Sequence, residues 1–489
     1  MQEDKNHFNV VVVGAGISGI GAGCNLQKKC PNKSFVILEG RESFGGTWDL
    51  FRYPGIRSDS DMHTMGFRFK PWVHKRYIAD GPSILNYLEE TISENNLKDR
   101  IRYKHKVLSS SWSSSKSQWN LEVMNLDSKN IESFSCSFLL LCGGYYNYDE
   151  GYSPHFENQE KFNGLIVHPQ KWPEDLNYHN KKVVVIGSGA TAVTIIPSMS
   201  EEVEHITMLQ RSPTYYMAAP DKDMIGHFFR KIFPQRAAHF LTRWKNIFLG
   251  RYFYSRCVKN PEKVKKLLID GVRAHLGDKY DIETHFTPKY NPWDQRLCFV
   301  PNADMFEAIK SGKASVITDH IDQFTEDGIK LKSGKELTAD IVITATGLNL
   351  QFLNGIDLKV DNSKVNVAEK MSYKGRMFSD IPNLAASFGY TTASWTLGAD
   401  LTSEYVCKLL NYMDKNGYDY CSPVVGDDVE EEGAYLNLSS GYITRALDKI
   451  PKQGSRSPWM STQDYLTDII EVRWGSIIND DLHFKTTSQ

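Results

Sequence analysis

Two short apolar runs, each stopped by glycines, dominate the hydrophobic pattern of the chain. Val10 to Val13 leads into Gly14-Ala15-Gly16-Ile17-Ser18-Gly19, and Val183 to Ile186 leads into Gly187-Ser188-Gly189-Ala190-Thr191-Ala192. A segment that can form a helix follows each glycine turn, and another apolar run follows each of these segments. Strand, glycine turn, helix and strand in this order predict two dinucleotide-binding α/β units of the Rossmann type.

The residues of the first turn have separate predicted roles. Gly14 turns the chain tightly, Gly16 lets the backbone approach a pyrophosphate, and Gly19 lets the helix pack closely on the strand. Ile17 and Ser18 stand at the helix N-terminus, which faces the bound anion. The same reasoning assigns a second pyrophosphate to the turn formed by Gly187, Ser188, Gly189, Ala190 and Thr191, where Ala192 occupies a position that the fingerprint permits to be alanine.

The residue after the second strand differs between the two units. Glu39 follows the first unit's strand, where a carboxylate can accept a ribose hydroxyl and favours a dinucleotide without a 2′-phosphate. Arg211 stands at the matching place in the second unit, where a guanidinium fits a 2′-phosphate. One acidic and one basic site in a single chain predict FAD and NADPH, and hence an electron-transfer enzyme.

Two further strand signals predict how these units are joined. Phe138-Leu-Leu-Leu-Cys-Gly-Gly144 and Ile341-Val-Ile-Thr-Ala-Thr-Gly347 each combine an apolar run with a small-residue turn, as at a domain crossing. We therefore expect an α/β fold in which an NADPH-binding domain, residues 149–345, is inserted in an FAD-binding domain made of residues 1–148 and 346–489.

A basic, aromatic segment within the second unit predicts a helical insert at about residues 221–290. From Met224 to Asn260 there are eight Lys or Arg residues, nine aromatic residues and no Asp or Glu. This composition is typical of apolar lids with basic rims and of helices that lie on a membrane surface. Both interpretations stay open at this point, and the lid is favoured.

Composition narrows the functional classes further. A formal net charge of −2 gives no general attraction to nucleic acid. The apolar runs are too short for a membrane span, and the N-terminus lacks a secretory apolar region. Eight scattered cysteines without a C-x-x-C pair predict neither a disulfide framework nor a zinc or other metal site, so a cytoplasmic location is expected. The oligomeric state cannot be read from these features.

Several longer motifs resemble one enzyme family. Phe162-x-Gly164-x-x-x-His168-x-x-x-Trp172-Pro173, between the two nucleotide motifs, is similar to the fingerprint of the type I Baeyer–Villiger flavin monooxygenases. Gly45-Gly46-Thr47-Trp48 and the segment from Arg52 to Ser60 look like that family's flavin-side segment. Tyr145 to Pro154 and Asn291 to Cys298 are similar to its ethionamide-activating subgroup. The resemblance covers nearly the whole chain.

The resemblance implies an activity and its residues. With NADPH and O2, such enzymes convert ketones to esters or lactones through a flavin C4a-peroxide, and this subgroup also implies oxidation of sulfides and thioamides. Arg296 matches the catalytic arginine, and Asp59 matches the cofactor-side carboxylate that positions it. Gly46, Thr47 and Trp48 match the flavin segment.

Two positions add detail to this assignment. Gln295 stands where better-known members have a lysine beside the NADPH phosphate, so phosphate selectivity would rest more on Arg211. His168 is expected to have a structural or conformational role.

Other interpretations remain for the same residues. Arg296 without the family match could form a structural ion pair, and Asp59 could cap a helix. A flavin monooxygenase acting mainly on S or N heteroatoms needs no fixed arginine, while a non-enzymatic NADPH sensor leaves Arg296 unexplained. A disulfide reductase is disfavoured because no redox cysteine pair stands at the flavin segment. Aromatic residues such as Trp395 predict a small apolar substrate.

Overall fold

Each glycine turn begins at the end of a parallel strand in one of two large sheets. The computed structural model describes residues 6–436 and 440–487. The larger sheet has nine strands, in the order Ser363–Lys364, Asp357–Val360, His105–Ser113, Gln118–Asn125, Ile131–Leu141, His7–Val13, Phe35–Leu38 and Ile101–Arg102, with Leu384–Ala386 paired to Ile131–Leu141. Val10, Val11 and Val12 are fully buried because the centre of the sheet is covered on both faces.

The smaller sheet is parallel throughout. Its strands, in spatial order, are Ala314–Thr318, His205–Gln210, Lys182–Ile186, Ile341–Thr344 and Leu165–Val167. The run Val183 to Val185 is buried at its centre. This sheet takes its strands from residues 165–344, whereas the strands of the nine-stranded sheet lie before residue 142 and after residue 356.

Helices and short strand pairs complete the structure. The helices are Ile17–Lys29, Thr47–Leu50, Met62–Met65, Gly81–Glu94, Ala190–Met199, Met224–Ile232, Gln235–Lys259, Pro261–Leu276, Ile282–Phe286, Asp304–Lys310, Trp395–Asn416, Gly441–Thr444 and Tyr465–Trp474. The remaining strands are Tyr146–Gly151 with Leu348–Leu350, Tyr216–Ala219 with Cys298–Pro301, Ile321–Thr325 with Gly328–Leu331 and Glu336–Thr338, Ser372–Tyr373 with Met377–Phe378, Tyr420–Pro423 with Leu482–Lys485, and Glu431–Ala434 with Lys452–Gly454.

Two connections join the halves of the molecule and pair with each other. Tyr146–Gly151 leaves the nine-stranded sheet and Leu348–Leu350 returns to it, and the two strands are antiparallel. The half-buried imidazole of His168 packs on this connection so closely that a Cβ on Gly151 would lie 2.0 Å from its Cε1 atom. Burial lowers the pKa of His168. This contact fits a structural role for the histidine at the domain crossing.

Four helices occupy the segment in which an insert is expected, from Met224 to Phe286. Arg243, which is 3% exposed, anchors the longest of them to the nine-stranded half. Its Nη1 atom donates to the backbone carbonyls of His63, Thr64 and Gly66 at 2.9, 3.2 and 2.7 Å. Its Nη2 atom lies 3.4 Å from an oxygen of Asp400. The insert is therefore fixed on one side by a buried ion pair.

The described residues also bear on membranes and metals. None of the helices between residues 6 and 487, outside 437–439, is long and apolar enough to cross a bilayer. Within the same ranges, no group of His, Cys, Asp and Glu side chains could hold a metal ion.

Candidate active site

One cavity of about 1070 Å³ lies between the two glycine turns. It brings together residues from both sheets and from the segments that connect them. The sequence-predicted residues that line it are Gly14, Gly16, Ile17, Ser18, Glu39, Gly46, Thr47, Trp48, Asp59, Gly187, Ser188, Gly189, Ala190, Thr191, Arg211, Gln295 and Arg296. A single chamber thus faces both predicted nucleotide sites.

Gly19 is the predicted site residue that does not line the cavity. It lies in the first turn of helix Ile17–Lys29, and a Cβ there would lie 1.8 Å from the carbonyl oxygen of Gly14. Its contribution is close packing of the helix against the turn, as expected for the third glycine of this motif. Direct contact with a ligand is not part of its role.

Glu39 directly follows strand Phe35–Leu38 and closes the first glycine turn. Its carboxylate accepts hydrogen bonds from the backbone N–H groups of Ala15, at 2.7 Å, and Arg41, at 2.9 Å. Burial raises the pKa of Glu39, while these hydrogen bonds and the Arg41 charge oppose that shift. Each carboxylate oxygen has two lone pairs, so Glu39 keeps acceptor capacity for a ribose hydroxyl.

The second glycine turn forms a cradle open to the cavity. Gly187 has a φ of +131°, and a Cβ there would lie 2.3 Å from the carbonyl oxygen of Ala345. Both the backbone conformation and the close packing therefore require glycine at this position. A Cβ on Gly189 would meet nothing within 4 Å. The open space above Gly189 suits close approach of a pyrophosphate to the N-terminus of helix Ala190–Met199.

Arg211 follows strand His205–Gln210 and is exposed at the cavity. It forms no ion pair with any residue in the described part of the chain. Gln295 lines the same cavity without a charge. A guanidinium without a carboxylate partner is available to a phosphate, which fits the predicted 2′-phosphate of NADPH.

Arg296 and Asp59 form an ion pair in the cavity across 237 residues of sequence. The Arg296 Nε and Nη2 atoms both contact Oδ2 of Asp59, at 2.9 and 2.8 Å. The two side chains are 44% and 40% exposed, and both line the cavity, so the pair faces the chamber. Asp59 raises the pKa of Arg296 above its ordinary value, which keeps this guanidinium charged.

The alternative role for Asp59 as a helix cap is wrong. Asp61 caps helix Met62–Met65, and its carboxylate accepts from the backbone N–H of Thr64 at 3.0 Å. The carboxylate of Asp59 is therefore free to hold Arg296.

Aromatic residues line the cavity together with this ion pair, among them Trp395, which the sequence predicted for an apolar site, and tyrosines that it did not assign to the site. The hydroxyls of Tyr145 and Tyr146 are 2.8 Å apart. The Trp395 ring stacks on Tyr145 with centroids 5.0 Å apart and an angle of 27°, and its Nε1 donates to Ser18 Oγ at 2.9 Å. Tyr442 adds a third phenol to the lining of the cavity. The repeated tyrosines of the resemblance motif were the one signal for Tyr145 and Tyr146.

The expected lid over the cavity is not where the sequence placed it. In the expected insert, about residues 221–290, Tyr290 at the end lines the cavity, whereas the four helices do not. Arg243 fixes the longest of these helices to the backbone carbonyls of His63, Thr64 and Gly66. A late segment with Ser440, Gly441, Tyr442 and Arg445 contributes to the lining instead. The Arg445 guanidinium lies 3.5 Å from the centroid of the Tyr152 ring.

Comparison with protein families identifies two matching models. A flavin-binding monooxygenase-like model matches residues 69–378, and an NAD(P)-binding Rossmann-like domain model matches residues 12–78.

Full-length relatives are also found. The chain is 52% identical over 482 residues to the FAD-containing monooxygenase EthA of Mycobacterium tuberculosis, covering 98% of both chains. It is 48% identical to the probable FAD-binding monooxygenase AlmA of Acinetobacter baylyi, covering 98% of this chain and 96% of the relative.

Solved structures with the same fold include two monooxygenases. An oxidized steroid monooxygenase bound to NADP matches with a TM-score of 0.78 at 21% identity, covering 98% of this chain and 99% of the other. An open form of cyclohexanone monooxygenase matches with a TM-score of 0.74 at 18% identity, covering 99% and 100%. These likenesses confirm the predicted α/β fold class with its Rossmann-like units.

Proposed function

Because the chain belongs to the flavin-binding monooxygenase-like family, we infer that it is an NADPH-dependent flavin monooxygenase of the Baeyer–Villiger type. Its reaction consumes a ketone, O2, NADPH and a proton, and yields an ester or lactone, NADP⁺ and water. The observation that carries this proposal is the Arg296–Asp59 pair, a permanent cation held by a carboxylate in the chamber between the two glycine turns.

The first glycine turn and its neighbours fit FAD. Gly14, Gly16, Ile17 and Ser18 present backbone groups of a helix N-terminus to a pyrophosphate, and Glu39 accepts a ribose hydroxyl. Residues Gly46, Thr47 and Trp48 face the same chamber. Bound FAD, reduced by NADPH, supplies the activated oxygen that the substrate receives. This chemistry requires that water be kept from the activated oxygen.

The second turn fits NADPH. The backbone from Gly187 to Thr191 receives the pyrophosphate, and Arg211 neutralises the 2′-phosphate with Gln295 as an uncharged neighbour. We propose residues 149–345 as the NADPH-binding domain, inserted between 1–148 and 346–489 of the FAD-binding domain. The paired connections Tyr146–Gly151 and Leu348–Leu350 support this division.

Arg296 supplies the electrostatic requirement of ketone oxygenation. An oxygen nucleophile that attacks a carbonyl carbon must stay anionic, and a fixed cation stabilises that charge. Arginine suits this task because it cannot deprotonate in proteins. Asp59 orients the guanidinium through the contacts at 2.9 and 2.8 Å. We therefore propose Arg296 as the catalytic cation and Asp59 as the residue that positions it.

The substrates that we propose are small apolar ketones, with sulfides and thioamides as further substrates. The aromatic side chains of Trp48, Tyr145, Tyr146 and Trp395 line the cavity and favour apolar ligands.

A product analysis tests this proposal. The FAD-loaded protein receives NADPH, ¹⁸O2 and an equimolar mixture of a medium-chain methyl ketone and an aryl methyl sulfide. We expect one ¹⁸O atom in an ester, together with sulfoxide. Sulfoxide without ester would assign the enzyme to heteroatom oxidation and contradict the role of Arg296.

We also propose that the insert contacts an anionic membrane surface. On helix Met224–Ile232, the side chains of Met224, Phe228 and Ile232 follow an i, i+4, i+8 stripe and are 72%, 57% and 58% exposed. An apolar stripe of this kind normally faces a protein core. Exposed basic residues lie on the same helix and on the next helix, Gln235–Lys259, namely Lys231, Arg236, Arg256 and Lys259. Apolar insertion combined with basic charge is the chemistry of interfacial helices.

Vesicle sedimentation tests the membrane contact. The Phe228→Ser/Ile232→Ser variant should lose at least tenfold in affinity for anionic vesicles, because burying each side chain contributes about 1.5–3 kcal/mol. Ile131→Ser is the matched control, since Ile131 is 60% exposed on a strand of the nine-stranded sheet. Equal binding of both variants and the wild type, or no binding at low salt, would exclude this contact.

A further inference from the structure

Three phenols line the same cavity as Arg296, and two of them are in contact through their hydroxyls. Tyr145 and Tyr146 follow strand Ile131–Leu141, and Tyr442 lies on the distant helix Gly441–Thr444. The Tyr145 hydroxyl is 2.8 Å from that of Tyr146. All three residues and Arg296 line the cavity.

Ring packing holds the central phenol in place. The Tyr145 ring lies between Tyr146, with centroids 4.2 Å apart, and Trp395, with centroids 5.0 Å apart. The indole N–H of Trp395 is in turn fixed by Ser18 Oγ at 2.9 Å. The Tyr145 hydroxyl is therefore held in position by contacts that do not involve a substrate.

The number of donors leaves O–H groups for a ligand. Each phenol has one O–H donor, and the contact between Tyr145 and Tyr146 uses one of the three. Burial raises the pKa of all three tyrosines, so the phenols keep their protons at neutral pH. A neutral donor beside a fixed cation suits an oxygen atom on which negative charge develops.

We propose that one of the three phenol hydroxyls, those of Tyr145, Tyr146 and Tyr442, donates a hydrogen bond to the carbonyl oxygen of the ketone. The inference rests on the proposed Baeyer–Villiger function. During oxygen insertion, one O2 atom enters the bond between the carbonyl carbon and the migrating carbon, and the other leaves as water. NADPH supplies the two electrons. The C=O π pair moves onto the carbonyl oxygen as its carbon is attacked, and the phenol O–H stabilises that charge.

Sulfide oxidation has no such requirement. A sulfide gives a lone pair to the incoming oxygen atom, and O2, NADPH and a proton give sulfoxide, NADP⁺ and water. No negative charge develops on the sulfide itself. Loss of the phenol donors should therefore separate the two activities.

The experiment compares ketone and sulfide in one mixture. The triple variant Tyr145→Phe/Tyr146→Phe/Tyr442→Phe keeps the rings and removes every O–H, and the single variants locate the donor that faces the substrate. Tyr412→Phe is the matched control, because this tyrosine packs against Tyr418 and Phe484 away from the cavity. We expect ester formation to fall about 100-fold in the triple variant, with sulfoxide formation within twofold of wild type.

Ligand binding provides a readout that does not depend on turnover. An amide with the shape of the ketone should bind the oxidised triple variant about fivefold more weakly than the wild type in calorimetry, whereas the corresponding thioether should bind equally. If the wild type forms no ester but still binds the amide more tightly than the triple variant does, the proposed function is contradicted. The hydrogen-bond donor is then still supported. Unchanged ester formation with unchanged amide binding, or equal loss of ester and sulfoxide, would overturn the inference.

Discussion

At the scale of single residues, the two arginines that bear on the proposed chemistry differ in whether a carboxylate pairs with them. Arg296 is held by Asp59, and this contact directs its guanidinium. Arg211 has no carboxylate partner in the part of the chain that the structure describes, and so its charge is available for a ligand. Two arginines of the same chamber can therefore have separate tasks, one in the reaction and one in the choice of nucleotide.

Replacement of Arg296 should affect ketone oxygenation far more than sulfoxidation. We expect Arg296→Ala to lower the kcat of ester formation about 100- to 1000-fold, because a preorganised electrostatic contact is lost. Arg296→Lys should recover part of this loss, since it keeps a charge but not the fork that contacts Asp59. The measurement is the rate of ester formation under saturating NADPH. Ester formation by Arg296→Ala at the wild-type rate would remove the proposed catalytic role.

Replacement of Arg211 should alter nucleotide selectivity. A hydrogen bond to a charged group contributes about 1.5–3 kcal/mol, so Arg211→Ala should raise the KM for NADPH roughly 10- to 100-fold. The KM for NADH should stay near its wild-type value, because NADH lacks the 2′-phosphate. Steady-state kinetics with both nucleotides, with Arg211→Lys as a charge-preserving control, check this. A parallel increase for both nucleotides would contradict the assignment.

At the scale of elements, helix Gln235–Lys259 shows why the sequence pattern of a helix does not tell which part of the protein the helix packs against. Its aromatic and basic residues predicted an amphipathic helix, but many elements could have covered its faces. The buried Arg243 and His239 decide which side docks against the nine-stranded half. Phe240 and Phe248, on other sides of the helix, remain 59% and 53% exposed.

The docking of this helix should weaken in acid because of His239. Burial, together with the charge of Arg243, lowers the pKa of His239 to about 3. The ordinary pKa of about 6.5 applies to the unfolded chain, so the unfolded state binds more protons between these values and stability falls as the pH falls from 6.5 towards 3. We expect His239 to account for about 2 kcal/mol of the unfolding free energy lost between pH 7 and pH 5.

Urea unfolding at both pH values measures this contribution. His239→Phe fills the same space without a titrating group and should reduce the pH dependence by about that amount. An identical pH dependence in the wild type and His239→Phe would show that this histidine does not carry the acid sensitivity.

At the scale of the whole molecule, the cavity exists because two sheets meet across paired connections. Residues of the first glycine turn, the second glycine turn and the late segment at 440–445 face one chamber. The relative position of the halves therefore decides whether a nicotinamide, a flavin and a substrate can lie together. His168 packs against Gly151 at this junction and restricts that position.

A small change at the junction should uncouple the reaction. A Cβ on Gly151 would lie 2.0 Å from Cε1 of His168, so in Gly151→Ala either the imidazole or the connection must shift. We expect FAD content and NADPH oxidation to persist while the fraction of electrons recovered as hydrogen peroxide rises several-fold, because a misaligned chamber admits water. Gly271→Ala is the control, since a Cβ at Gly271 would meet nothing within 4 Å. Unchanged coupling in Gly151→Ala would contradict this role of the junction.

Local chemistry allowed the sequence to determine the two nucleotide units. A strand, a glycine turn and a helix are adjacent in the chain, and Glu39 and Arg211 stand directly after the strand that follows each helix. These features could be predicted because short-range geometry specifies them. Arg296 and Asp59 were identified by their resemblance to family motifs, since nothing local connects residues 237 positions apart.

The tertiary structure alone decided which distant residues share the chamber. Tyr442 lines the same cavity as Tyr145, and Trp395 stacks on the Tyr145 ring from a later helix. The helices of the insert, which the sequence favoured as a lid, do not line the cavity, and Arg243 fixes the longest of them to the carbonyls of His63, Thr64 and Gly66. Hydrophobic periodicity specifies that a face must be covered or exposed but not what meets it, because long-range packing depends on the whole chain.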